Sequence, residues 1–258
     1  MEKGTNILLE HARKRLEFNP SLKRVDLVDR RFYKFEEEYY PSVTTILQYM
    51  PKGKFFETWI REMGPYSEIV MRKAGDEGTQ VHNAIEELVL GKEVEWINEY
   101  GNAKYSVEVW EMILKFYEFW TTHKPELLSS EKFLYSKEYK YAGTADLLLY
   151  LNDQVWLLDI KTSNALHRSY DAQLSAYAHS FKEIYDIDVE RTGILWLKAS
   201  TRGPSTKKDV MQGKGWQVKP VDNIEENFQL FKFIYEIYKL DNEEVEPLIK
   251  TYPTSLKL

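Results

Sequence analysis

Residues 146–161, DLLLYLNDQVWLLDIK, constrain the fold more than any other stretch of the chain. Two apolar runs of strand length flank Asn152-Asp153, a dipeptide suited to a two-residue hairpin turn. Strands apolar on both sides must be covered on both sides, so the hairpin belongs in a sheet with layers above and below it. Yet Asp146, Asp159 and Lys161 place three charges at the open end of this apolar pair.

The flanking sequence supplies the layers. Residues 6–17 read as an amphipathic helix, and 24–40 as a small hairpin ending at Pro41, with Ser42 placed to cap a short helix. Helical pattern from Lys54 to Leu90 is broken near Gly64-Pro65 and Gly75, and a long helix spans 104–122, before Lys124-Pro125. Strand-like runs then fill 131–163, with turn signals near Ala142-Gly143 and at Asn152-Asp153. A helix over 169–185, a strand in VERTGILWLK and a closing helix over 221–243 complete an α/β layout. We expect a single domain with a central mixed β-sheet flanked by helices on both faces. Its N-terminal helical elaboration covers 1–75, the core 76–200, and a basic loop with the closing helix 201–258.

At 258 residues the chain can bury a substantial core. With no cysteine, disulfides, thiolate zinc sites and cysteine-held iron–sulfur clusters are excluded. The start of the chain has no apolar h-region and no run approaches membrane length, so the expected setting is cytoplasmic, without a membrane partner. The net charge of −6 argues against a polyanionic partner, but residues 191–220 hold seven Lys/Arg against one Asp, leaving −12 on the remainder. Such a basic run is either a solvated loop or a phosphate-facing surface. GPSTKKD lacks the spacing and preceding strand of a P-loop, and no H-E-x-x-H occurs among the five histidines.

A two-residue turn at Asn152-Asp153 pairs Leu151 with Gln154 and sets Asp146 opposite Asp159, with Lys161 on the same face and the Ile160 carbonyl nearby. Two carboxylates so placed repel unless something positive joins them. The hairpin alone leaves two answers open: an Asp–Lys–Asp cluster closing the sheet edge, or a divalent cation, for which carboxylate and carbonyl oxygens suit Mg²⁺ or Mn²⁺.

GTADLLLYLNDQVWLLDIKTS resembles the core of the PD-(D/E)XK nucleases: a first Asp, a hairpin, then D-x-K at a strand end. Downstream DAQLSAYA looks like the Q-x-x-x-Y motif of the RecB-like branch, and upstream GTQVHNAIEEL like its G-x-x-x-H-x-x-x-E helix. YPSVTTILQYM and the Trp of FFETWIREMG further resemble phage exonucleases, the resemblance covering roughly residues 40–200. It implies a restriction-endonuclease-like core without an iron–sulfur cluster. It also implies a Mg²⁺- or Mn²⁺-dependent exonuclease acting on DNA, single-stranded or with free ends, in replication, recombination or repair, with a phage origin in keeping.

By this resemblance Asp146, Asp159 and the Ile160 carbonyl hold the metal, His82 is an outer ligand, and Lys161 orients water or stabilises developing charge. Glu86 orients a water or satisfies a neighbouring donor. Gln173 and Tyr177 brace the site and help hold the strand, and Thr162 and Ser163 donate to phosphate. Tyr170, Trp196 and Trp216 are candidate stacking residues. The expected protein partner is a recombinase, polymerase or single-strand-binding protein. The other readings are an inactive nucleic-acid-binding module on this fold, a structure-specific endonuclease, and a metal-free scaffold.

Overall fold

The computed structural model describes residues 2–27, 30–199, 211–242, 253 and 255–257. Residues 200–210, which carry much of the basic run expected at 191–220, lie outside the described residues.

A six-stranded mixed sheet forms the centre. Its strands are β4 (Glu126–Ser136), β5 (Tyr141–Leu151), β6 (Gln154–Lys161), β7 (Arg191–Trp196), β8 (Met211–Gly213) and β9 (Trp216–Pro220). They run in the order β4-β5-β6-β7-β9-β8, and only β6 and β7 pair in parallel. A parallel pair needs a crossover, supplied by α6 (Arg168–Tyr185). The β5–β6 turn is the expected two-residue one. Asn152 and Asp153 both have positive φ (52° and 62°), and the register runs from Leu151↔Gln154 to Leu147↔Leu158.

The apolar content of these strands is divided between two cores. One face packs Leu148, Val155 and Leu157 under α6 and α7 (Ile224–Asp241). The other packs Leu147, Leu149, Trp156 and Leu158 under α4 (Tyr66–Val89) and α5 (Val107–His123). Helix α5 meets the sheet through Val109, Met112, Ile113, Phe116 and Phe119, one stripe at helical spacing. Residues Ala172 to Ala178 of α6 are all buried, because α7 covers the side turned away from the sheet.

Several expectations need correction. The hairpin expected at 24–40 is present but gains a strand, forming a three-stranded sheet of β1 (Leu22–Asp26), β2 (Arg31–Phe35) and β3 (Glu38–Pro41). It docks on the main sheet through Tyr33, Phe35, Tyr40 and Tyr135. The other N-terminal elements are α1 (Glu2–Leu16), α2 (Val43–Ile46), a 3₁₀ turn at Leu47–Tyr49 and α3 (Lys54–Met63). Ser42 caps α2, accepting from the Thr45 amide at 2.9 Å. The break at Gly64-Pro65 separates α3 from α4, but α4 continues through Gly75, where a glycine costs about 1 kcal/mol without ending a helix already held by its neighbours. Ala142 and Gly143 lie inside β5; the turn before it is 137–140, with Lys140 at φ 59°. Trp216 is buried against Phe119 and His123, which removes it as a stacking surface.

The two sides of α7 should respond differently to truncation. Phe231 is fully buried and Phe233 is 68% exposed. Phe231→Ala is expected to cost about 3–5 kcal/mol in urea unfolding, and Phe233→Ala less than about 0.5 kcal/mol. Equal losses would contradict the packing of α7.

Candidate metal and catalytic site

The site forms where the β5–β6 ladder gives out. Beyond Leu147↔Leu158 the Ile160 amide finds no strand partner on β5; it donates to Asp146 Oδ2 at 2.6 Å. Lys161 O accepts from the Leu197 amide at 2.9 Å, on the β7 side, so the N–H and C=O of Ile160 point the other way, toward β5. The carbonyl expected to join the site is therefore on its side of the strand, while the Ile160 side chain is in the core.

Asp146 sits at a kink. Ala145 packs with the α6–α7 core and Leu147 with the α4–α5 core, so strict alternation fails at the residue between them. The partner strand is irregular at the same level. Ser130 and Lys132 pair with Leu147 and Ala145, and Glu131 between them has φ 47°, unusual for a residue with a side chain. The register does not shift across this level, so the left-handed backbone of Glu131 is itself the irregularity. Lys132 anchors the strand beside the kink by donating to Leu16 O (2.9 Å), Phe18 O (3.1 Å) and Asn19 Oδ1 (2.6 Å), behind the last turn of α1.

The kink faces α4. His82 Nδ1 is 3.6 Å from Asp146 Oδ1 and 3.8 Å from Glu131 Oε1, too long for hydrogen bonds. Ligand atoms of His82, Glu131 and Asp146 all lie within 4.8 Å of one another. Ligands on an octahedral ion with bonds of about 2.1 Å stand roughly 3–4.2 Å apart, a range that both His82 separations meet, so the three could hold a divalent cation. Gly78, one turn before His82, allows the helix this close: a Cβ there would lie 3.0 Å from Thr162 Oγ1. Glu86, one turn after, is half-buried and outside the group.

Asp159 is reached from the other side. Gln173 Nε2 donates to Asp159 Oδ1 at 2.9 Å and lies 3.4 Å from Tyr177 Oη, while Lys161 Nζ donates to Gln173 Oε1 at 3.3 Å. Gln173 and Tyr177 are therefore buried braces of the Asp–Lys pair. Gly143 makes room for Tyr177, since a Cβ there would lie 2.5 Å from the ring. Asp159 Oδ2 lies 2.7 Å from Lys161 Nζ, yet no donor meets this buried oxygen in hydrogen-bond alignment; the contact is ionic. Ser163 is committed to local bonds, donating to Ala165 O at 2.7 Å, and its carbonyl accepts from Trp196 Nε1.

The pair does not balance. Burial pushes Asp159 up to about 6, against the pull of Lys161 and with the push of Asp146. Asp146 is also raised, by burial above all, despite His82. Burial works against the Lys161 charge, but Asp159 and Asp146 together overcome it and raise its pKa. Burial is the first cause for both acids, and three carboxylates, Glu131 included, share two cations, Lys161 and His82. Further positive charge is what this site lacks.

No protein-family model matches the chain, and no curated protein resembles it significantly. Glu131 escaped sequence reasoning, because its place depends on which residue faces it across β4 and β5. Among the described residues no helix is long and apolar enough to cross a membrane.

His82 offers a test of the cluster's charge. Burial disfavours its imidazolium, but Asp146 and Glu131 outweigh that and raise it to about 9, above an unfolded value near 6.5. Its charge therefore stabilises the fold fully below about pH 6.5 and ceases to do so as pH rises through about 9. In EDTA, His82→Ala should melt well below the wild type at pH 6, with a gap that narrows by pH 9.5. A gap independent of pH would remove the ion pairs from the account.

Proposed function

We propose that this chain is a divalent-metal-dependent nuclease that hydrolyses DNA phosphodiester bonds, working from ends as an exonuclease. The observation that carries this reading is the convergence of Asp146, Asp159 and Lys161 at one end of the β5–β6 hairpin, faced by His82 and Glu131. The order of motifs resembling RecB-like PD-(D/E)XK nucleases supports the same reading.

The residues fit a metal on three counts: mutually close nitrogen and oxygen donors, a buried carboxylate oxygen without an aligned donor, and carboxylates raised by burial. Mixed imidazole and carboxylate donors suit Mn²⁺ and tolerate Mg²⁺. When bound, such an ion supplies Lewis-acid polarisation of the phosphate and acidifies water at neutral pH.

The chain's own groups do the rest. His82, Glu131 and Asp146 form the α4 side of the cation site, and Asp159 the α6 side. Lys161, its side chain 17% exposed, presents an ammonium at the mouth of the site, where it stabilises negative charge gathering on the phosphate. Gln173 keeps Lys161 and Asp159 in register, and Tyr177 backs Gln173. Thr162, half-buried beside Gly78, offers a hydroxyl to a neighbouring phosphate. Replication, recombination or repair inside a cell, the chain's own or a phage host's, is the setting this activity suits.

End-labelled linear DNA and closed circles, each with Mn²⁺, Mg²⁺ or EDTA, test the proposal. The linear substrate should be degraded with either metal and the circle spared. Lys161→Ala and Asp159→Asn should each lower turnover by at least about 10²-fold, and Glu131→Gln by about 10–100-fold. Unchanged activity in the first two variants would refute the site. Wild-type protein that binds DNA without cutting it would mark an inactive binding module, and cleaved circles would mark an endonuclease.

A further inference from the structure

Beside Lys161 the sheet edge opens into a cleft of about 570 Å³, within the range of small-ligand sites. Lys161 and Gln173 form the part nearest the metal cluster. One wall is the start of α6, with Arg168 and Tyr170; the other is the segment leading into α3, with Lys52, and the first turn of α3, with Phe56. The lining carries three Lys/Arg side chains and no carboxylate, the reverse of a chain with net charge −6.

Its two aromatic rings are both set beside cations. Lys161 Nζ lies 4.5 Å from the Tyr170 ring centroid, and Lys52 Nζ 4.7 Å from that of Phe56. Tyr170 is further fixed by its hydroxyl, 3.3 Å from Ser163 Oγ, and by the edge-on His167 ring at 5.5 Å. Both rings are half-buried, so each keeps some open surface. Every residue of α3 is exposed or half-buried, so none of its aromatic side chains belongs to a buried core.

Flat apolar faces next to fixed positive charge suit a ligand that is itself part aromatic and part anionic. We propose that this cleft binds one unpaired nucleotide of a DNA strand, adjacent to the bond that is cut, with its base on Phe56 and Tyr170 and its phosphate toward Lys52 and Arg168. The inference rests on the nuclease reading and adds to it a nucleotide subsite and the residues that line it. A base in the cleft cannot remain paired or stacked in a duplex, so the site takes single strands or frayed ends.

Binding measured in EDTA separates this cleft from catalysis. Fluorescence anisotropy would follow a short labelled single-stranded DNA and its blunt duplex with wild type, Phe56→Ala and Arg168→Ala. Calorimetric Mn²⁺ binding and thermal melting would run alongside to show that the fold and the metal cluster persist. The wild type should prefer the single strand by at least about tenfold, and Phe56→Ala should lose about five- to 100-fold in affinity, the worth of one stacked base. Arg168→Ala should bind more weakly with a shallower salt dependence. Equal affinity for duplex, or wild-type affinity in both variants, would overturn the cleft while leaving cleavage and Mn²⁺ binding to stand. Single-strand binding lost in the variants, by a wild type that cuts nothing with either metal, would uphold the cleft and reject the nuclease.

Discussion

One ammonium and one imidazolium have to serve three carboxylates gathered at the end of the β5–β6 hairpin. Lys161 lies 2.7 Å from Asp159 and within electrostatic reach of Asp146, and the surrounding packing serves to keep this arrangement from relaxing. Buried charges are tolerated when paired and bonded, and otherwise neutralise by shifting their pKa. Here both things happen in part: the lysine is held charged while both acids are pushed toward neutrality. A fold selected only for stability would replace the trio with leucines, as the strands around it already do. On the proposed function, a hard cation with a phosphate would be the simplest neutralising pair.

The fold was legible where a local rule had a single solution. Asn152-Asp153 admits a tight turn, and the register that follows was correct as far as Leu147↔Leu158. Apolar runs on both sides of it required two covering layers, and both are present. Glycine was the ambiguous signal. Gly75 punctuates nothing, while Gly143 was mistaken for a turn because the sequence alone does not show that the Tyr177 ring must pass over it.

That misplaced turn concealed Glu131. With the turn at 137–140, Ser136 pairs with Tyr141, and counting back along both strands sets Glu131 opposite Asp146. The third acidic residue was thus within reach of the same register argument that set Asp146 facing Asp159. What no counting rule supplies is the kink itself. Strict alternation would bring Asp146 and Asp159 to one face, whereas the irregularity at Asp146 turns it toward His82 on α4, and Asp159 stays with Gln173 on α6. The Gln173–Tyr177 pair, by contrast, was visible as an i, i+4 spacing, and only tertiary packing reveals that it is buried.

Drawing the donors from both helical layers has a consequence for rigidity. His82 belongs to a helix packed on one face of the sheet and Gln173 to a helix packed on the other, so the site spans two hydrophobic cores at the one level where the β5–β6 ladder stops. A ladder continued past Leu147 would have paired the Ile160 amide with β5 and closed the gap between the layers. The missing rung leaves Asp146 Oδ2 to satisfy that amide. Glu131 in a left-handed backbone is the corresponding strain on β4, and the three bonds of Lys132 to oxygens of 16–19 oppose its relaxation.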